Sequence, residues 1–253
     1  MTLPVLVTGM SGLIGSAFRR QVGAGYELSA LNRSLVDGVS TTQASLSDFD
    51  AIRPAFEGQH TVVHLAAEIS DSAGWDALLQ TNVVGTRNVL EASVQAGVKR
   101  VVFTSSGATV SGWEQEEPYK ALVEGRYDDV KDIPLINESM ATRPANQYAA
   151  TKVWGESIAR HYSQSHGLEV ICLRIGFANA NDKPDNARQF SVWNSHRDVV
   201  SALDLSINLN VSQVFDTFFI LSDNRWGYRN IERARSVLGF VPQDRAEDHR
   251  LAN

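Results

Sequence analysis

The chain has 253 residues, 43% of them hydrophobic and 21% charged, with a net charge of −6. That profile belongs to a folded globular protein about one large domain in size, neither disordered nor fibrous. The acidic excess, with no cluster of Lys and Arg, weighs against nucleic-acid or anionic-membrane partners. Apolar runs such as Val62–Ala67 are strand-sized, far short of the ~20 residues that span a bilayer. The start, Met1-Thr2-Leu3-Pro4, has no basic region or cleavage pattern of a signal peptide. A single cysteine, Cys172, leaves no intramolecular disulfide and no multi-cysteine zinc site. The cytoplasm is the expected compartment.

Short β-branched runs alternate with amphipathic stretches through the first 175 residues. Strands are predicted at Val5–Val7, Glu27–Leu31, Thr61–Leu65, Arg100–Thr104 and Glu169–Leu173. Helices are predicted at Gly12–Val22, Asp48–Phe56, Ala77–Gln95 and Tyr148–Ser165. Leu79, Val83, Leu90 and Val94 share one helical face, which is expected to meet the sheet. Gly97 suits a helix end, because glycine takes the left-handed conformation without a Cβ penalty. Strict alternation of strand and helix implies crossovers and a parallel sheet, and runs apolar on both faces fit its buried strands. The expected fold class is α/β, a Rossmann-type doubly wound parallel sheet.

Two stretches break the rhythm. The acidic segment Ser111–Gln147, with Pro118, Pro134 and Pro144, reads as a long irregular loop inserted in the core. From Gly176 onward the periodicity weakens, leaving a strand at Thr217–Leu221 and helices near His196–Asn208 and Asn230–Leu238. Residues 1–175 are therefore read as the dinucleotide-binding core. Residues 176–253 read as a small substrate-binding portion, not an independent domain.

Val5–Thr8 leads into Gly9-Met10-Ser11-Gly12-Leu13-Ile14-Gly15, a strand, a glycine turn and a helix start. Gly9 permits the tight turn, Gly12 lets the backbone approach a pyrophosphate, and Gly15 allows close helix–strand packing. The free amides at the helix start then face the phosphates. The spacing is G-x-x-G-x-x-G rather than G-x-G-x-x-G. At the end of the second strand, Asn32-Arg33-Ser34 stands where a site selective for NAD carries an acid for the ribose 2′-hydroxyl. Asn32 is neutral and Arg33 suits a 2′-phosphate, so NADP is the expected cofactor, with NAD as the alternative.

Tyr148 and Lys152 are four residues apart on one helical face. A cation beside a phenol favours the phenolate, which makes Tyr148 a candidate general acid/base for carbinol–carbonyl interconversion. Thr104-Ser105-Ser106 ends the fourth strand, at the edge where α/β sheets bind ligands. A serine hydroxyl there can hold the substrate oxygen. His64 reads as a structural residue and Met10 as a turn residue; His161 and His166 read as solvated. Trp113 and Tyr119 either cover a substrate or pack the loop. No group of His, Cys, Asp and Glu has metal-ligand spacing.

On these residues the chain resembles the extended short-chain dehydrogenase/reductase family, the NAD(P)-dependent epimerase/dehydratase group. Further matching marks are His64-Leu65-Ala66-Ala67, Asn82-x-x-Gly85-Thr86, Arg174-Ile175-Gly176 and His196-Arg197-Asp198-Val199-Val200. The resemblance implies a nicotinamide cofactor and a catalytic set of Ser106, Tyr148 and Lys152, with Lys152 on the nicotinamide ribose and lowering the Tyr148 pKa. It also implies that Leu65, Ala66 and Ala67 line the cofactor, that Asn82 orders its site, that Ile175 lies near the nicotinamide, and that the helices carrying Asn82 and Tyr148 pair in a homodimer. The second half, through Asn186-Ala187-Arg188 and Leu238-Gly239-Phe240-Val241-Pro242-Gln243-Asp244, is most similar to the uronate-dehydrogenase-like subgroup. There an arginine at the place of Arg188 grips a substrate carboxylate. Gly107 and Phe177 depart from that subgroup's Asn and Ser, which removes two hydrogen-bond partners for sugar hydroxyls. The 111–147 insertion is extra as well, and Thr104–Thr109 is similar to the dihydroflavonol-reductase-like branch.

The expected function is hydride transfer between a nicotinamide and a carbonyl or alcohol of a small polar substrate. Ser106, Gly107, Phe177 and Arg188 would contact that substrate. The alternatives are an epimerase or dehydratase that retains its cofactor, and a non-catalytic dinucleotide sensor.

Overall fold

A computed structural model describes residues 2–210 and 214–250. In chain order its elements are β1 (Leu3–Thr8), α1 (Leu13–Val22), β2 (Tyr26–Asn32), β3 (Ser40–Gln43), α2 (Phe49–Ile52), β4 (Thr61–His64), α3 (Trp75–Leu78), α4 (Gly85–Gln95) and β5 (Arg100–Ser106). There follow α5 (Tyr119–Glu124), α6 (Gln147–His166), β6 (Glu169–Ile175), α7 (Gln189–Val192), α8 (His196–Asn208) and β7 (Phe215–Ile220). The strands form one sheet in the order β3-β2-β1-β4-β5-β6-β7, every pair parallel. This is the doubly wound α/β sheet expected from the alternation.

Side chains alternate across each strand, so β1 feeds two cores at once. Val5 and Val7 join Phe18 of α1 and Val199 and Leu203 of α8 on one face. Leu6 joins Val89 and Leu90 of α4 and Ala159 of α6 on the other. The strand order reverses between β1 and β4, and the crevice opened there, at the carboxyl ends of the strands, is where such sheets bind ligands. Beyond residue 175, β7 extends the sheet and α8 covers it.

Several elements differ from the sequence reading. Polar β3 is an edge strand without apolar alternation, and the sequence shows no sign of it. The helix at Asp48–Phe56 is one α-turn followed by a 3₁₀ turn, because Pro54 has no N–H to continue the ladder. The helix at Ala77–Gln95 contains a π-turn at Leu79–Val84, which turns Asn82 inward and leaves Leu79 and Val83 half-buried rather than facing the sheet. The 111–147 insertion carries short helical turns up to Asp129 and is irregular from 130 to 146, yet it packs as part of the molecule. Its Tyr119 and Leu122 pack with Ile136, Phe219 and Tyr228 in a third core. Tyr119 therefore packs the insertion, 5.3 Å from the Tyr228 ring, while Trp113 stacks under the Arg143 guanidinium.

Arg100, at the start of β5 and 4% exposed, ties three elements together. It donates to Glu169 of β6 at 2.9 and 2.6 Å and to the carbonyls of Ser206 and Ile207 at 3.1 and 2.6 Å. Removing one partner of such a pair strands the other charge in a poorly solvated place. Arg100→Ala is expected to lower stability by about 3–5 kcal/mol in urea denaturation. A loss below about 1 kcal/mol, the worth of an exposed pair, would refute this role.

Candidate active site

The glycine turn is shaped by close approach. Gly9 has φ +72°, and a Cβ on it would stand 2.8 Å from the backbone of Ala66. At Gly15 a Cβ would stand 2.5 Å from Met10 Cα. Gly12 precedes α1 with no capping side chain, and the first turn carries no acid, so its amides stay free for an anion. Leu13, Ile14, Leu65 and Ala67 line the adjoining cleft, which has a volume of about 400 Å³. Ala66 does not line it; Ala66 packs beneath Gly9 and donates its N–H to Thr8 Oγ1 at 3.2 Å. The Gly9 N–H donates to the Leu31 carbonyl, bringing the end of β2 beside the turn. There Asn32 is buried with neither atom of its amide hydrogen-bonded, whereas Arg33 and Ser34 are exposed. The positive φ, the tight glycine contacts, the free amides and the unpartnered Asn32 amide fit a dinucleotide: pyrophosphate at the turn, ribose at Asn32.

Asn82 stands outside the cleft. Its Oδ1 accepts from the Glu68 N–H at 2.8 Å, and its Nδ2 donates to the Glu68 carbonyl at 2.8 Å and to Thr151 Oγ1 at 3.0 Å. It thus clamps the segment after β4 to α6 and orders the site without lining it. His64 is structural, as expected. Its ring bridges Thr8 Oγ1 at 2.7 Å and Thr86 Oγ1 at 3.1 Å, and burial, aided by the Lys152 charge, pushes its pKa down to about 3.

Ser106, Tyr148 and Lys152 come together in the cleft. Asn146 caps α6 by accepting from the Ala149 N–H, and Asp71 accepts from the Tyr148 N–H, which fixes the first turn of that helix. Ser106 Oγ accepts from the Ala108 N–H at 3.0 Å and stands near enough to the Tyr148 phenol to pull its pKa down against burial. Lys152 Nζ donates to the Thr104 carbonyl at 2.8 Å, over the Phe103 ring and 5.9 Å from the centre of the Tyr148 ring. The expected lowering of the Tyr148 pKa is corrected here. Burial raises it, the Ser106 hydrogen bond only partly opposes this, and the ammonium is aimed at Thr104. Burial also brings Lys152 itself down to about 8. Ser105 turns away and donates to Glu156 at 2.5 Å, whose carboxylate pairs with Arg174.

Ile175, Phe177 and Arg188 line the cleft. Gly107 does not, and its expected substrate contact is corrected: a Cβ there would stand 2.2 Å from Nη1 of Arg229, which fills that space. Arg188 reaches the cleft, yet its Nε and Nη2 donate to the two oxygens of Glu114 at 2.6 and 2.9 Å. Glu114 also accepts from the Tyr228 hydroxyl at 2.6 Å. Sequence reasoning missed Arg229, Glu114, Ile69 and Val192. Arg229 lies in the aperiodic tail and Glu114 among the many acids of the insertion, so no spacing marks either. Among the described residues the charged side chains lining the cleft are Lys152, Arg188 and Arg229, all cations. No group of His, Cys, Asp and Glu among them is placed to hold a metal ion, and no helix is long and apolar enough to cross a membrane.

Residues 5–180 match the model of the NAD dependent epimerase/dehydratase family. The chain is 32% identical to the NAD-dependent glucose-6-phosphate dehydrogenase of Haloferax volcanii, over 98% of this chain and 96% of that protein. It is 26% identical to the L-arabinose 1-dehydrogenase (NAD(P)(+)) of the same organism, over 95% and 96%. Among solved structures, a variant of uronate dehydrogenase from Agrobacterium tumefaciens complexed with NAD superposes with a TM-score of 0.83 at 26% identity, covering 98% of this chain and 87% of that one.

The Lys152 pKa has a consequence for stability. Unfolded, this lysine keeps its proton to about 10.5; folded, it loses it near 8. The unfolded chain then binds more protons between those values, so the Lys152 contribution to stability rises with pH across that window and is at its lowest below it. In Lys152→Met this rise should disappear. Urea midpoints of both proteins between pH 8 and 10.5 check it, and parallel curves would exclude it.

Proposed function

The chain belongs to the NAD dependent epimerase/dehydratase family, and on that premise we propose that it is an NAD(P)-dependent dehydrogenase oxidising the C1 hydroxyl of an aldose to the lactone. The observation that carries this reading is the convergence of Ser106, Tyr148 and Lys152 in the cleft that begins at the glycine turn. Relatives named as glucose-6-phosphate, L-arabinose 1- and uronate dehydrogenases support a sugar substrate. Residues beyond 175 supply its side of the cleft through Phe177, Arg188, Val192 and Arg229.

Bound nicotinamide supplies the hydride acceptor at its C4. Ser106 Oγ and Tyr148 Oη hold the reacting oxygen between them. On oxidation the hydroxyl proton would pass to the Tyr148 phenolate as the C1–O bond becomes a carbonyl; on reduction the Tyr148 phenol would return it. Lys152, 5.9 Å from the centre of the Tyr148 ring, would hold the nicotinamide ribose and supply positive charge near the phenolate. A dehydratase needs a further acid–base group on the substrate, and among the described residues no carboxylate, thiol or imidazole lines the cleft. The neutral, unpartnered Asn32 accommodates the ribose of NAD or NADP, and Arg33 favours the 2′-phosphate of NADP. We place the protein in the cytoplasm, consistent with its lone buried cysteine, and pair two copies through α6 and the π-turn that leads into α4, where Trp154 and Val83 stay half-buried.

Tyr148→Phe removes the proton-carrying oxygen and little else. Aldose oxidation, followed by reduced-cofactor absorbance, should fall by about 10²–10⁴-fold with cofactor affinity retained. Retained turnover would remove Tyr148 from the chemistry, and binding without turnover of any aldose would favour the sensor alternative. Arg33→Ala should weaken NADPH binding by about one to two decades and NADH binding little. Equal losses for both would end the NADP preference.

A further inference from the structure

Three consecutive residues at the end of β5 each meet a different turn of α6. The Thr104 carbonyl accepts from Lys152 Nζ at 2.8 Å, Ser105 Oγ donates to Glu156 at 2.5 Å, and Ser106 stands by the Tyr148 phenol. Tyr148, Lys152 and Glu156 follow one another at intervals of four, which sets them along one face of the helix. Across the sheet Ser105 is in register with Arg174 of β6, and both side chains meet at the same carboxylate. Arg174 donates to it through Nε and Nη2, each at 2.8 Å, so buried Glu156 is held by three donors from two strands. Lys152 and Ser105 line the cleft, whereas Glu156 and Arg174 stand behind it.

Burial brings Lys152 down to about 8, and the Glu156 carboxylate acts against that fall. The other charged or titratable groups around this lysine are Tyr148 on its own helix, His64 on β4, Cys172 and Arg174 on β6, and Arg188 and Arg229 in the cleft wall. β5 offers it only uncharged groups, the Thr104 carbonyl and the Phe103 ring. Burial keeps Tyr148, His64 and Cys172 uncharged at neutral pH, and the arginines are cations. Glu156 is the one anion of the set. Fastening α6 to β6 does not call for a charged pair, because well-packed apolar residues in place of a buried ion pair often serve stability as well. What the carboxylate adds is negative potential one helical turn from the Lys152 ammonium.

We propose that Glu156 is a positioning residue for Lys152: fixed by Ser105 and Arg174, its carboxylate is the buried counter-charge that keeps the lysine an ammonium. The use made of that ammonium rests on the dehydrogenase reading above; its dependence on Glu156 does not.

Lys152 is the buried one of five lysines, Lys99, Lys120, Lys131 and Lys183 being exposed. Its titration can be followed by NMR at the lysine Cε in the isotope-labelled full chain, with Lys152→Met identifying the signal. Glu156→Gln keeps the shape and removes the charge, and the Lys152 midpoint should fall by about one pH unit or more. That variant leaves Arg174 unpaired, so Glu156→Gln/Arg174→Met, which removes both charges, is made beside it and should lower the midpoint as well. Arg174→Met alone loosens the carboxylate but keeps its charge, and should not lower it. A midpoint unmoved in the folded Glu156 variants, or lowered equally by Arg174→Met, would overturn the proposal and leave the pair a fastening of α6 to β6. In aldose oxidation the alkaline limb of the kcat profile should move down with the midpoint. A midpoint that falls as expected in a protein that oxidises no aldose sustains the role of Glu156 and removes the dehydrogenase assignment.

Discussion

His64 sits at the carboxyl end of β4, where the strand order reverses, and joins β1 to the start of α4 through Thr8 and Thr86. Its backbone carbonyl accepts from Thr104 Oγ1 at 2.7 Å, which draws β5 into the same junction. Each bond serves a neutral imidazole, one nitrogen donating and the other accepting, and burial holds the ring in that form across the range where proteins fold. A protonated ring would add a second enclosed cation to Lys152, with no carboxylate among the described residues that line the cleft to meet it. Thr8 Oγ1, anchored by His64, takes the Ala66 N–H and so sets the floor on which Gly9 turns. The cofactor turn, the end of β5 and the Lys152 environment are thus positioned by one buried side chain that does no chemistry.

The parts of the site that follow from short-range rules were legible in the sequence. Gly9, Gly12 and Gly15 announce a backbone that must turn and approach closely, and Tyr148 with Lys152 announces a shared helical face. The five core strands showed in their apolar runs, and α8 matched its expected span from His196 to Asn208. What escaped was set by distant contacts or local exceptions. The π-turn at Leu79–Val84 rotates the helix frame, so a stripe drawn at regular spacing placed Leu79 and Val83 inward, where Asn82 stands instead. β3 is held by its pairing with β2 rather than by any pattern of its own. Gly107 read as a lost hydrogen bond, because the residue filling its space comes from 122 positions further along the chain.

That exchange between Gly107 and Arg229 links the insertion to the substrate side. The inserted segment buries Tyr119 and Leu122 against Tyr228 and Phe219, and this packing delivers Glu114 to the rear of both arginines. Without the insertion, Arg188 would keep its Nε–Nη2 edge free and Arg229 would lack its carboxylate neighbour. With it, Arg188 is held through Nε and Nη2 by Glu114, and Arg229 through Nη2 by the Tyr228 hydroxyl. The insertion is therefore part of the cleft's construction.

Charge is distributed unevenly along the cleft, and the asymmetry bears on direction. Burial raises Tyr148 and lowers Lys152, moving both toward their neutral forms. At neutral pH the phenol keeps its proton and is ready to donate, as carbonyl reduction requires. Alcohol oxidation asks the same residue for a phenolate, whose nearest support is the Ser106 hydroxyl and the Lys152 ammonium. Lys152 spends one N–H on the Thr104 carbonyl and has two more to direct elsewhere. Its charge is worth most where water is excluded, and the same exclusion is what makes that charge hard to keep. Burial thus sets the two residues against oxidation in opposite ways, and the Thr104 carbonyl, by accepting from the ammonium, favours the charged form of Lys152.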